Sequence, residues 1–212
     1  MFLLISYVVP AQKLDPSLKR IIHYLMKLNF VHTEVEGLEH LEQEKGYVFI
    51  PNHQSFFDAL ILLAYIPNYI RGVEIEEHFS WPIYGKFIER FGNIPIDPTS
   101  IKKSMASFKK AGEDLENGKS IVVFPEGERT LNGEIGEFKR LPFLFAKETQ
   151  KDIVPIGISG LYDVLPRGAS WISPGRAKLV IGKPIPYNEY CKTDTKRLAE
   201  EVKQQVCSLS AN

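Results

Sequence analysis

Ser120-Ile-Val-Val-Phe-Pro-Glu-Gly-Glu-Arg-Thr130 holds the clearest strand signal in the chain, from Ser120 to Phe124, and breaks off at a charged Pro/Gly turn. A short apolar run closed by turn residues reads as a strand buried on both faces. Upstream, Tyr47-Val-Phe-Ile50 repeats the pattern and stops at Pro51. Between and around these two runs, helical and extended patterns alternate. Phe57 to Tyr65 predicts a helix closed by Ile66-Pro67, and Ile70 to Ile75 a strand. Trp81 to Phe91 predicts a helix, with Pro82 early and Gly92 just past its end, and Asn93 to Ile96 a short extended piece. Ile101, Met105, Phe108 and Leu115 recur at helical spacing up to Asn117-Gly118. A helix over Leu141–Lys147, strands over Ile153–Ile158 and Ala177–Ile181, and a polar helix from Lys196 to Ser208 complete the pattern. Strands separated by helices specify an α/β fold: a mixed, largely parallel central sheet flanked by helices.

The composition excludes several classes. With 212 residues, 44% of them hydrophobic and 25% charged, the chain is neither disordered nor fibrous. Its 26 basic residues match 26 acidic ones, so no nucleic-acid partner is expected. Two cysteines, Cys191 and Cys207, make neither a disulfide framework nor a zinc pattern, and a reducing compartment follows. No apolar run reaches the ~18 residues that a membrane-spanning helix needs.

The charge is unevenly spread. Residues 1–32 carry Lys13, Lys19, Arg20 and Lys27 against Asp15 alone, whereas Glu34, Glu36, Glu39, Glu42 and Glu44 follow. From Pro16, Leu18, Ile21, Ile22, Leu25, Met26 and Leu28 form one broad apolar helical face bordered by Lys19, Arg20 and Lys27, with Asp15 placed to cap. Such a helix can dock on the rest of the protein or lie in a lipid interface. Residues 1–32 are read as an N-terminal segment that can associate with a membrane, and 33–212 as the main domain.

Two segments carry chemistry. Asn52-His53-Gln54-Ser55-Phe56-Phe57-Asp58 follows a buried strand directly, where α/β sheets collect reactive groups. Ser55 suits an N-cap, so Asp58 enters the first helical turn and can reach one nitrogen of His53. That contact fixes the tautomer and leaves the other nitrogen to take a proton. The same four residues, Ser55 to Asp58, also fit a capping box. The second segment, Phe124 to Thr130, places Glu126 and Arg129 beyond another strand end. Gly127 lets the backbone approach a ligand, and the Arg129 fork suits phosphate.

Together, the NHxxxxD pattern of His53 and Asp58 and the later Phe-Pro-Glu-Gly-Glu-Arg-Thr resemble the glycerolipid acyltransferases, the 1-acylglycerol-3-phosphate acyltransferase type above all. Trp81-Pro-Ile-Tyr-Gly85, Phe91-Gly-Asn-Ile-Pro-Ile-Asp97 and Val154-Pro-Ile-Gly-Ile158 are similar to further family motifs, so the resemblance runs from about Gly46 to Pro186. It implies acyl transfer from acyl-coenzyme A or acyl carrier protein to a hydroxyl of lysophosphatidic acid. His53 would be the base, Asp58 its orienter, Glu126 a contact to the acceptor polyol and Arg129 the phosphate ligand. A Gly127 N–H facing the thioester oxyanion is our inference from geometry. A thioester is already activated, so neither metal nor cofactor is expected. The product is a diacyl lipid, so membrane lipids are expected partners. The location is then membrane-associated, peripheral or monotopic, on the cytoplasmic face.

The chain departs from the family pattern in ways that make the site less positive, which leaves open the same chemistry on another lysolipid or hydroxylated lipid acceptor, or a catalytically silent lipid-binding relative. Pro98 stands where an arginine usually follows Asp97, Glu76 stands near a common lysine, and Glu128 replaces a threonine or serine. Lys102 and Lys103 follow closely and can either face water at a helix start or supply the lost charge, Lys103 being the one expected to contact substrate. Lys139 and Arg140 can serve phosphate or face water.

Overall fold

Parallel strands that lie side by side end at the same edge of a sheet, and this places the two charged turns together. A computed structural model describes residues 2–116 and 118–211; Asn117, part of the helix end expected at Asn117-Gly118, lies outside them. In chain order the strands are β1 (Val31–Glu36), β2 (Val48–Pro51), β3 (Ile70–Ile75), β4 (Ile94–Ile96), β5 (Ser120–Val122), β6 (Ile153–Ser159) and β7 (Gly175–Ile181). The helices are α1 (Phe2–Ile5), α2 (Ala11–Leu28), α3 (Phe57–Tyr65), α4 (Tyr84–Arg90), α5 (Ile101–Glu116), α6 (Leu141–Thr149), α7 (Leu161–Val164), α8 (Tyr187–Tyr190) and α9 (Thr195–Ser210). Among the described residues the strands form one sheet in the order β1-β7-β6-β2-β5-β3-β4. Every pairing is parallel except β6 with β7, so the sheet is mixed and largely parallel, as the alternation predicts.

The pleat divides the core in two. Along β2, Phe49 faces a layer with Leu18, Ile22 and Met26 of α2 and Ile61 and Leu62 of α3. Val48 and Ile50 face the other layer, with Phe108 and Leu115 of α5, Phe143 of α6 and Val202 and Val206 of α9. All four β2 residues are buried, which is why the run lacks polar alternation.

Several boundaries differ from the expected ones. β1 was read only as part of an acidic stretch, yet it pairs in parallel with β7 along its length. It is a sheet edge, and its glutamates alternate with Val31, Thr33 and Val35 on an exposed strand. The helix expected from Trp81 starts three residues later. Residues Glu76–Ser80 form a 3-10 turn, and Ile83 takes a positive φ of 65° before α4 begins. α2 starts at Ala11 rather than Pro16, so Asp15 does not cap it. Asp15 instead pairs with Lys19 one turn on, at 2.9 Å, and burial pushes its carboxyl above the usual value.

Lys19 therefore does not border a lipid-facing stripe. Its ammonium donates to the carbonyls of Ile66 (2.8 Å), Pro67 (3.0 Å) and Asn68 (2.8 Å), at the C-terminal end of α3. A cation there satisfies carbonyls of the loop just past the helix and sits where the helix dipole favours positive charge. Docking of α2 uses Leu18, Ile22 and Met26, while Ile21, Tyr24, Leu25 and Leu28 remain exposed on its outer side.

Candidate active site

β2 and β5 are parallel neighbours, so residues 52–58 and 124–130 leave the sheet side by side. The first turn is tied to β6: the buried Asn52 donates Nδ2–H to the Ile158 carbonyl (2.9 Å) and accepts the Ile158 N–H (2.8 Å). Ser55 Oγ donates to the Leu165 carbonyl (2.8 Å) and accepts from the Phe57 N–H (3.2 Å).

Asp58, fully buried in the first turn of α3, gathers this loop. Its Oδ2 accepts from His53 Nδ1 (2.8 Å), the Gln54 N–H (2.6 Å) and the Ser55 N–H (2.7 Å). The bond from Ser55 is the reciprocal half of a capping box, so Asp58 starts the helix and orients His53 with one oxygen. Burial pushes the Asp58 carboxyl above its ordinary value, against the pull of the His53 bond and the two amides. His53 stacks on the Phe124 ring at 3.9 Å with 19° between planes, which restrains the imidazole. Its Nε2 makes no hydrogen bond to the described residues. One ring nitrogen is thus held and the other available, the arrangement a general base needs.

Glu126 sits where the resemblance puts a polyol contact, and both of its oxygens are engaged. Oε1 accepts from the His53 N–H (2.7 Å) and Oε2 from the Gly136 N–H (2.8 Å). Burial pushes this carboxyl up as well. The Thr130 N–H donates to the His53 carbonyl (2.9 Å), so the two turns are joined at the base itself.

Gly127 has a left-handed φ of 76°, but its N–H donates to the Phe124 carbonyl (3.2 Å) and does not stand free for an oxyanion. The Arg129 guanidinium makes no hydrogen bond or ion pair to the described residues, as a ligand fork requires. Lys103 is held by Asp97 at 3.1 Å. Thr99 and then Lys103 hold the Asp97 carboxyl down at about 2, so this lysine's charge is already matched. Sequence reading quoted Asn52 within NHxxxxD without a role, and gave no place to Phe124 as a ring partner or to the backbone of Gly136. A histidine immediately after Asn52 at a strand end was the available signal for the first of these.

A family model described as Acyltransferase matches residues 32–159 and includes both turns. The chain is 31% identical over 180 residues to a chloroplastic 1-acyl-sn-glycerol-3-phosphate acyltransferase of Arabidopsis thaliana, an alignment covering 81% of this chain and 50% of the relative. It is 26% identical over 193 residues to the alpha 1-acyl-sn-glycerol-3-phosphate acyltransferase of Ovis aries, covering 91% of this chain and 67% of the relative. The chain thus spans about half the length of the chloroplast relative. In fold it matches the crystal structure of PlsC, the 1-acyl-sn-glycerophosphate (LPA) acyltransferase of Thermotoga maritima. The TM-score is 0.79 at 24% identity, and the match covers 100% of this chain and 88% of that one. With both turns inside the matched region, this chain belongs to the Acyltransferase family.

Proposed function

We propose that the protein moves a fatty acyl group from a thioester of coenzyme A or acyl carrier protein to the free hydroxyl of lysophosphatidic acid, giving phosphatidic acid. The observation that carries this reading is the His53 Nδ1–Asp58 bond, which leaves Nε2 open on a loop that the Thr130 N–H ties to the turn carrying the unpaired Arg129. His53 Nε2 takes the hydroxyl proton as the acceptor oxygen attacks the thioester carbonyl. A C–O bond forms, the C–S bond breaks, and the departing thiolate receives the proton from the imidazolium. Asp58 stabilises that imidazolium without taking its proton. The names of the relatives support the acceptor, and the loop geometry supports the base.

The substrate and product are lipids, and the outer face of α2 supports contact with a bilayer surface. Ile21, Tyr24, Leu25 and Leu28 make an exposed stripe at helical spacing, flanked by the exposed Lys13, Arg20 and Lys27. Among the described residues no helix is long and apolar enough to cross a membrane. The test is thiol release from palmitoyl-coenzyme A, and then from acyl carrier protein, with lysophosphatidic acid, lysophosphatidylcholine, glycerol 3-phosphate or no acceptor. Release that needs lysophosphatidic acid is expected. Release with another acceptor alone would overturn the acceptor assignment. A Leu25→Glu/Leu28→Glu variant should lose most release on vesicles yet keep it with a short-chain acceptor in solution. Equal vesicle activity would rule out this face.

Glu126 yields a separate expectation. Glutamine offers one carbonyl oxygen, so Glu126→Gln leaves either the His53 or the Gly136 N–H without its acceptor. Turnover should fall about tenfold at an unchanged KM for the acceptor, because the group lost positions the base. A raised KM at unchanged kcat would instead make Glu126 an acceptor ligand.

A further inference from the structure

Three cationic side chains meet the turn after β5, and they are differently occupied. Arg167 donates Nη1–H to Glu128 Oε2 at 2.8 Å and reaches the Arg129 carbonyl at 3.4 Å. The Arg129 guanidinium is unpaired among the described residues. Lys139 is the third. Its backbone N–H is anchored to the Pro125 carbonyl (2.8 Å), and its side chain lies across Gly127. A Cβ at position 127 would sit 2.5 Å from Lys139 Nζ, with Cε at 3.1 Å and Cδ at 3.2 Å. Gly127 is required for its φ of 76°, and the flexible end of Lys139 fills the space where a side chain would stand. The Lys139 ammonium has no hydrogen bond or ion pair among the described residues.

We propose that Lys139 is a specificity-determining residue that forms, with Arg129, a two-cation cradle over the Gly127 turn for the phosphate of the acceptor. This rests on the acceptor assigned above. A phosphomonoester carries nearly two negative charges and is best met by more than one cation. Pro98 offers no charge, and Lys103 is taken by Asp97. Both oxygens of Glu126 are committed to backbone amides, which leaves Glu128 as the carboxylate of the turn that could draw Lys139 away from a ligand. Arg167 occupies it: the hydrogen bond and charge of Arg167, with a smaller pull from Lys139, hold the Glu128 carboxyl below its ordinary value. The acidic substitution and its arginine partner therefore cancel each other, and Lys139 remains for the substrate.

The test is calorimetric binding of a short-chain lysophosphatidic acid and of the monoacylglycerol with the same chain to the full protein. Wild type should prefer the phosphorylated ligand. Lys139→Gln should weaken that ligand about tenfold, the scale of one charge-assisted hydrogen bond, without weakening the neutral one. Glu128→Gln should tighten the phosphorylated ligand, and Arg167→Gln, which frees Glu128 to take Lys139, should weaken it. A preference that survives Lys139→Gln, or equal loss for both ligands, would overturn the cradle alone. A wild type without any preference would overturn the cradle and the acceptor assignment together.

Discussion

Asp58→Asn is expected to lower turnover by about 10²- to 10⁴-fold while the protein melts within a few degrees of wild type. The two effects separate because one oxygen has two duties. The asparagine carbonyl can still accept the Gln54 and Ser55 N–H bonds that start α3. It cannot stabilise an imidazolium. If its amide turns toward Nδ1, it forces the proton onto Nε2, the nitrogen that must be bare to act. Stability changes little for a further reason. Burial raises the Asp58 pKa above its unfolded value, so at neutral pH the ionised carboxyl opposes folding and the neutral amide removes that cost. Thiol release and a thermal melt on the same sample check both halves. Activity within tenfold of wild type would show that His53 works without an orienter.

Gly157→Ala should produce a large loss of stability, about 3 kcal/mol, or roughly 6–12 °C in Tm for a chain of this size. Gly157 lies on β6 between Ile156 and Ile158, with the last turn of α9 directly over it. An added Cβ would fall under 3.0 Å from backbone atoms of Leu209 and Ser210, which cannot rotate away as a side chain would. Gly112→Ala provides the contrast. It sits inside α5, where a Cβ would meet only Thr149 Cγ2 at 3.5 Å. With no closer contact among the described residues, the same change should stabilise by about 0.5–1 kcal/mol through helix propensity. Denaturant unfolding of the two variants reads both signs, and equal behaviour would mean that α9 does not press on β6.

What was legible in the sequence was local. His53 and Asp58 are five residues apart beside a strand end, so their contact follows from the geometry of one turn. β2 and β5 were legible because burial on both faces leaves an unbroken apolar run. The distant partners were not. Glu126 bonds the His53 and Gly136 amides, and a backbone N–H carries no residue identity to read. Lys19 looked like one of several basic residues near an apolar face. Only the approach of α2 to the end of α3 shows that it caps carbonyls. β1 did alternate, but its glutamates masked the pattern.

The loop that carries His53 is fastened almost wholly to main-chain atoms: Asn52 to both backbone groups of Ile158, Ser55 to the carbonyl of Leu165, Asp58 to two amides, Glu126 to two more. Each fastening spends one polar side chain and asks nothing of the side chain opposite. Positions 158 and 165 can therefore drift among apolar residues of similar size without disturbing the base. The burden of inheritance falls on four short polar residues, Asn52, Ser55, Asp58 and Glu126. A scaffold built this way can exchange most of its sequence and keep its chemistry.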